Sequence, residues 1–349
     1  MTISPFDHPL LAALLGDEDA SVHFSAAAEL AAMLDFERAL AEVEAGLGVI
    51  PADAGNAIVT TIERFSPDTA ALRKAAAQDG LVVPELVRQL RDAVGEPHAR
   101  FVHFGATSQD VVDTGLVLRL KPILAILEDR LVGLAEALAG LEGRFGSVSL
   151  IAVTRMQPAV PISVAARIGN WRKPLERHLV RLRGRRPDLL AVQLGGAAGT
   201  LDVLEAAGPT VRAALAARLG LADTPQWHSQ RDAIADFASS LSLITASLGK
   251  LGQDVALMAL GGTIALADGG RSSAMPHKQN PVKAEVLEAL ARFNAAQVAA
   301  MHEAAIHPVE RSGSAWMLEW LVLPSMVMAT AAALRQAGGM VGAIERMGA

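Results

Sequence analysis

Apolar positions in the first hundred residues recur at helical spacing, but only in short stretches. From Ala26 to Gly46, the residues Leu30, Met33, Leu34, Leu40 and Val43 fall on one stripe, and Gly46 and Gly48 close it. Pro51 and Pro67 punctuate the next two segments, Pro84 follows a short apolar run, and Gly95-Glu96-Pro97 reads as a turn. From about Thr107 the segments lengthen, to 109–141, 161–183, 209–220, 232–267, 281–304 and 320–336. The pattern predicts short N-terminal helices over 1–103, a bundle of long helices over 104–336, and a C-terminal stub over 337–349. The long helices are too apolar to stand exposed, so they are expected to bury against other copies of the chain as well as within it.

Composition points to the same class. Hydrophobic residues make up 51% of the chain but aromatics only 4%, with no Tyr. An Ala- and Leu-rich chain of this kind implies an all-α fold of helices packed on helices. The net charge of −6 and the lack of a basic face weigh against a nucleic-acid partner. The one basic cluster, Arg181 to Arg186, reads as a solvated helix end and turn. The absence of Cys excludes disulfides, thiolate nucleophiles and Cys-ligated zinc. His302 and His307 are five apart, which is not the spacing of a helical metal pair, and no metal is expected. The N-terminus lacks the basic region and cleavage pattern of a signal peptide, and Gln253 and Asp254 interrupt the long helix around them. A cytoplasmic chain with no membrane partner is therefore expected. LGGAAGT, at 194–200, is not G-x-G-x-x-G and reads as a tight turn or a close backbone approach.

Three polar stretches carry candidate chemistry. In FVHFGATSQDVVDT, residues 101–114, Thr107 or Ser108 can cap the next helix, and Thr107 with Asp110 fits a capping box. Capping does not explain His103. In TRMQPAVP, residues 154–161, Arg155 is either a surface charge or a carboxylate clamp, and it hardly deprotonates, so it makes a poor general acid. The third stretch, GGRSSAMPHKQNPVKAE at 269–285, interrupts two long apolar segments. Asn280-Pro281 reads as N-cap and first helical residue. A plain connector can also carry Gly, Ser and Pro, but a hydroxyl-rich cationic loop suits anion binding and proton transfer.

The order of residues in these stretches resembles the fumarase/aspartase superfamily. G-x-S-S-x-M-P-x-K-x-N-P matches its signature, with Arg271 standing between Gly270 and Ser272. H-F-G-x-T-S-x-D is similar to its first active-site region. The second region commonly reads T-H-x-Q-x-A-x-P, and here Arg155 stands where that His would be. SPFDHPLLAALLGDE, TRMQPAVPISVAARIGNWRKPL, QLGGAAGTL and SGSAWMLEWLVLP extend the resemblance over nearly the whole chain, most closely toward the carboxymuconate cycloisomerase branch.

That resemblance implies a fumarase/aspartase-like long-helix bundle with a smaller N-terminal helical domain, and lactone formation from a tricarboxylate substrate without metal or organic cofactor. It implies that Thr107 and Ser108 bind a substrate carboxylate, and that Arg155, beside Gln157, clamps a further one. Lys278 and Asn280 would hold the carboxylate whose α-carbon reacts. Ser272 would exchange the proton, with Ser273 and His103 as alternatives. Met275 would pack under a loop that closes over substrate. The superfamily's sites each draw loops from three chains of a homotetramer, which is expected here too. Its chains usually continue into a third, small helical domain, expected to be largely absent from a chain that stops at Ala349, whether by descent or by truncation. Adenylosuccinate lyase or another fumarate-releasing lyase of the superfamily is the alternative activity, and adenylosuccinate lyase is disfavoured by Arg155 and the lack of Tyr. A non-catalytic structural relative is disfavoured by the retained His103, Ser272, Lys278 and Asn280.

Overall fold

The computed structural model describes residues 4–275 and 278–348, so Pro276 and His277 of the signature stretch lie outside the described residues. Two single-turn helices, α1 (Ala12–Leu15) and α2 (Glu18–Ser21), lead into α3 (Ala26–Gly46). Three shorter helices follow, α4 (Ala52–Ile62), α5 (Thr69–Asp79) and α6 (Val83–Val94). The long α7 (Ser108–Phe145) runs into a hairpin of β1 (Ser149–Thr154) and β2 (Gln157–Ser163), then α8 (Val164–Leu189) and the short α9 (Gly208–Leu219). After α10 (Asp232–Leu260) come β3 (Ile264–Leu266), β4 (Gly270–Arg271) and β5 (Gln279–Asn280). α11 (Val282–Ala304), α12 (Gly313–Gly342) and β6 (Ile344–Met347) complete the fold.

Local chemistry sets many of these boundaries. Ser25, Asp68 and Ser163 stand at N-caps and accept from backbone N–H groups of the first turn, at 2.9–3.2 Å. Gly80 and Gly220 close α5 and α9 in the left-handed conformation.

Three side-chain registers show that the long helices alternate in direction. Along α8 and α10, Trp171 donates to Asp254, His178 meets Ser247, and Arg185 pairs with Asp236, so the two run antiparallel. Asn294 of α11 donates to Thr330 of α12, while Lys283 lies beside Gly339, again antiparallel. Asp113 with Trp316, and Arg130 with the Ala331 carbonyl, set α7 and α12 parallel. One end of the bundle therefore holds the start of α7, the end of α8 and the starts of α10 and α12. The other holds the β1–β2 hairpin and the β4–β5 ribbon. With 38 residues at 1.5 Å each, α7 separates the two ends by about 57 Å.

The main apolar cluster lies along these helices, with Leu120, Leu127, Leu138, Ile168, Leu241, Leu248, Leu287 and Val327 fully buried. A second cluster packs α3, α4 and α6 against the start of α7 around Phe36, Leu40, Ile58, Leu86 and Leu90. α10 and α12 are long and apolar enough to cross a membrane, yet α12 is largely enclosed by its neighbours and α10 is nearly half so.

Several expectations need correction. The segment read as one helix to Ala267 stops at Leu260, where Gly261 and Gly262 (φ +70°) end it before β3. α8 does not stop at 183. Its basic run stays helical and is held by carboxylates, Arg183 and Arg186 on Glu128 and Arg185 on Asp236. α11 begins one residue late, with Pro281 as its cap and Asn280 in a strand.

Candidate active site

Asp110 organises the first candidate region. As the third residue of α7 it accepts the Thr107 N–H at 2.9 Å, completing the capping box read from sequence. It is fully buried because it does more than cap. Its two oxygens also accept from the backbone N–H groups of Gly195 and Gly196, at 2.9 and 3.0 Å, and meet His228 Nε2 at 2.8 Å. This close approach is what the 194–200 glycines are for. A side chain on Gly196 (φ +68°) would sit 3.0 Å from the Gly105 carbonyl, and one on Gly195 would strike His228.

One turn further on, Asp113 is buried in a bidentate pair with Arg231, at 2.7 and 3.1 Å. Arg231 also pairs with buried Glu319, at 2.8 and 2.5 Å. Burial disfavours the guanidinium charge, but the two carboxylates outweigh it and raise the Arg231 pKa. Gln109 links this triad to the surface, donating to Asp113 at 3.0 Å and accepting from Arg311 Nε at 2.8 Å. Arg311 thereby sits over the start of α7, with Nη1 3.4 Å from Thr107 Oγ1 and Nη2 3.2 Å from the Ala197 carbonyl. Ser108 is the first residue of α7, so Thr107, Ser108 and Arg311 place hydroxyls, free helix N–H groups and a guanidinium at one spot, a ready anion site.

His103 belongs to the same end of the bundle. Its backbone is left-handed (φ +62°) and its Nδ1 lies 2.6 Å from the Glu37 carboxylate of α3. Burial pulls the ring toward neutrality, but the charge and hydrogen bond of Glu37, with Asp110 nearby, more than offset it, and the pKa is raised. Two turns along α3, Glu44 is fully enclosed, and neither carboxyl oxygen has a hydrogen-bond partner among the described residues. Burial, with help from the Glu37 charge, pushes its pKa up to about 9.

Arg155 and Gln157 stand at the opposite end. The pairing of Thr154 with Gln157 leaves Arg155 and Met156 as a two-residue turn, with φ of +49° and +62°. Such a turn favours Asn-Gly. Holding two ordinary side chains left-handed costs about 1–2 kcal/mol each. The hairpin also exposes Ile151, Val153, Met156 and Val160.

The signature stretch is a small ribbon at this end too. Gly270 and Arg271 pair with Asn280 and Gln279, and a side chain at Gly270 would collide with Val282. Ser272 Oγ accepts from the N–H groups of Ala274 and Met275, at 3.3 and 3.1 Å. Ser273 and Lys278 are exposed. Met275 does not pack beneath the loop as expected, being 42% exposed in the single chain.

A single chain thus brings His103, Thr107 and Ser108 together at one end and carries Arg155, Gln157, Ser272, Ser273, Lys278 and Asn280 at the other, about 57 Å away along α7. Sequence reading missed Arg311, Asp113, Arg231, Glu319 and Glu37. The one signal was charge inside helices that should be apolar: Asp110 and Asp113 one turn apart, and Glu319 between Leu318 and Trp320.

A family model described as "Lyase" matches residues 16–298. The 3-carboxy-cis,cis-muconate cycloisomerase of Pseudomonas aeruginosa is 43% identical over 331 residues, 92% of this chain and 72% of that protein. The cycloisomerase of the same name from Bradyrhizobium diazoefficiens is 38% identical, covering 93% of this chain and 74% of that one. Among solved structures, the 3-carboxy-cis,cis-muconate lactonizing enzyme of Pseudomonas putida matches with a TM-score of 0.89 at 37% identity, covering 97% of this chain and 77% of that one.

Proposed function

The chain belongs to the fumarase/aspartase lyase superfamily, and from that premise we propose that it is a cycloisomerase that closes 3-carboxy-cis,cis-muconate to 4-carboxymuconolactone. The observation that carries this reading is the likeness to enzymes of that name over nine-tenths of the chain, with Arg155 present on the hairpin. A substrate with three carboxylates suits a site that offers Arg155, Lys278, Arg311 and the start of α7. The step belongs to the lactone-forming stage of protocatechuate breakdown, carried out in the cytoplasm.

The chemistry needs placement more than a strong nucleophile. One substrate carboxylate adds an oxygen to an alkene carbon of the same molecule, a step that gains from held geometry. The alkene electron pair moves onto the neighbouring carbon and its carboxylate as an enediolate, which Lys278 and Asn280 hold. The α-carbon then takes a proton. Three carboxylates enter and two leave, so each turnover consumes one proton, and the site needs a donor as well as cation clamps. Ser272, Ser273 and His103 are the candidates. A serine hydroxyl is a weak acid and base until a neighbour activates it.

Because the two groups of residues lie at opposite ends of the bundle, we assign each site to several chains of a homotetramer. Thr107, Ser108 and Arg311 come from one chain, and the hairpin and signature ribbon from others. The exposed apolar hairpin supports this. The activity is tested with purified protein and 3-carboxy-cis,cis-muconate without added metal, following loss of the conjugated diene absorbance and identifying the product. Lactone formation is expected. Inertness toward muconate with cleavage of adenylosuccinate run in parallel would overturn the assignment.

A further inference from the structure

Glu37 lies 66 positions before His103 in sequence, on another element, is 2% exposed, and meets Nδ1 of His103 at 2.6 Å. It has no part in the three polar stretches. The backbone at His103 is left-handed, a conformation that a non-glycine residue keeps only when its surroundings hold it. A short contact to a buried carboxylate is such a hold. We propose that Glu37 is a positioning residue for the reaction: it fixes the His103 ring and commits Nδ1 to itself, so that Nε2 is the nitrogen from which a proton passes to the α-carbon of the enediolate. This rests on the cycloisomerase reading above.

The charges around the ring fit that role. Glu37 faces it from α3, and Asp110 adds negative potential from the start of α7. Asp110 is already shared among Thr107, Gly195, Gly196 and His228, so Glu37 is the carboxylate in direct contact. Arg91 of α6 opposes protonation and donates to the neighbouring Val102 carbonyl at 3.0 Å. Glu44 lies behind Glu37 on α3, and burial raises its pKa to about 9, so it adds little negative charge of its own near His103. The step balances. The imidazolium N–H bond breaks, the enediolate electron pair forms the new C–H bond, and neutral His103 regains its proton from solvent before the next turnover.

The test is the pH dependence of kcat and kcat/KM for 3-carboxy-cis,cis-muconate in the wild type, Glu37→Gln, Glu37→Asp and His103→Gln, all checked for assembly by size-exclusion chromatography. Glu37→Gln should move the high-pH limb to lower pH by about one unit, a roughly tenfold loss in kcat on that limb, with KM little changed. Glu37→Asp should restore part of it, and His103→Gln should lose kcat at every pH. A Glu37→Gln profile that superimposes on the wild type while His103→Gln is impaired would overturn the role of Glu37 and leave the assignment of His103 standing. Full activity in His103→Gln would remove His103 from the site, and this inference with it. Should Glu37→Gln fail to assemble, NMR titration of the His103 ring in the wild-type tetramer decides. A pKa above that of free histidine supports the proposal, and one at or below it overturns it.

Discussion

Replacing Glu44 by Met should stabilise the protein, and more so the higher the pH. Glu44 is wholly enclosed, neither oxygen finds a partner, and burial together with the nearby Glu37 charge pushes its pKa from 4.5 to about 9. At pH 7 the carboxyl is ionised in the unfolded chain and neutral in the folded one. The sign follows from proton uptake: between 4.5 and about 9 the folded state binds the extra proton, so stability is greatest below 4.5 and declines as pH rises. At about 1.4 kcal/mol per pH unit, the two and a half units up to pH 7 come to roughly 3 kcal/mol. Methionine fills a similar volume without a polar head, and its repacking should cost less than about 1.5 kcal/mol. Urea unfolding at pH 6, 7 and 8, at one protein concentration because the proposed tetramer would make stability depend on it, should show the variant more stable at pH 7. The gap should widen by about 1.4 kcal/mol per unit. A gap that does not change with pH would refute the reasoning, because Glu44 would then be ionised in the folded state.

Other perturbations bear on the site and its support. Ser272→Ala should lower kcat by about 100-fold or more, the worth of one placed donor to the enediolate, and leave the circular dichroism spectrum unchanged; near-normal turnover would take the Ser272 hydroxyl out of the site. Arg155→Gly should raise KM for the tricarboxylate by about tenfold or more, the worth of a lost charged hydrogen bond, without lowering the melting temperature, since glycine relieves the left-handed turn; unchanged kinetics would take Arg155 out of the site. Arg231→Met should destabilise by about 3–5 kcal/mol, because Asp113 and Glu319 are then buried unpaired; a melting temperature equal to that of the wild type would show that water reaches them.

Much of this was legible because local chemistry decides it. The capping box at Thr107 and Asp110 and the run of long apolar segments follow from neighbours in sequence, and the glycines at 194–200 mark a close approach without naming its partner. What stayed hidden depends on partners far along the chain. Asp110 looks like a plain cap until residues 195, 196 and 228 are brought to it. Arg231 precedes a helix and reads as a surface charge, and only the parallel packing of α7 and α12 turns it into the centre of a buried triad. The reach of α8 to Leu189 is set by Glu128 and Asp236 on other helices, which hold a basic run that would otherwise end at solvent. The placing of the candidate residues at two ends of the bundle follows from helix directions, which periodicity does not carry.

The central claim, that a working site needs both ends of the bundle from different chains, is tested most directly by complementation. Ser272→Ala and a Thr107→Val/Ser108→Ala double variant, each inactive alone, are co-expressed under separate tags, and doubly tagged tetramers are assayed with 3-carboxy-cis,cis-muconate. Shared sites predict that activity returns, because some sites then join an intact α7 start from one chain to an intact signature ribbon from another. Well-assembled mixed tetramers with no recovered activity would contradict the account and place the whole site within one chain.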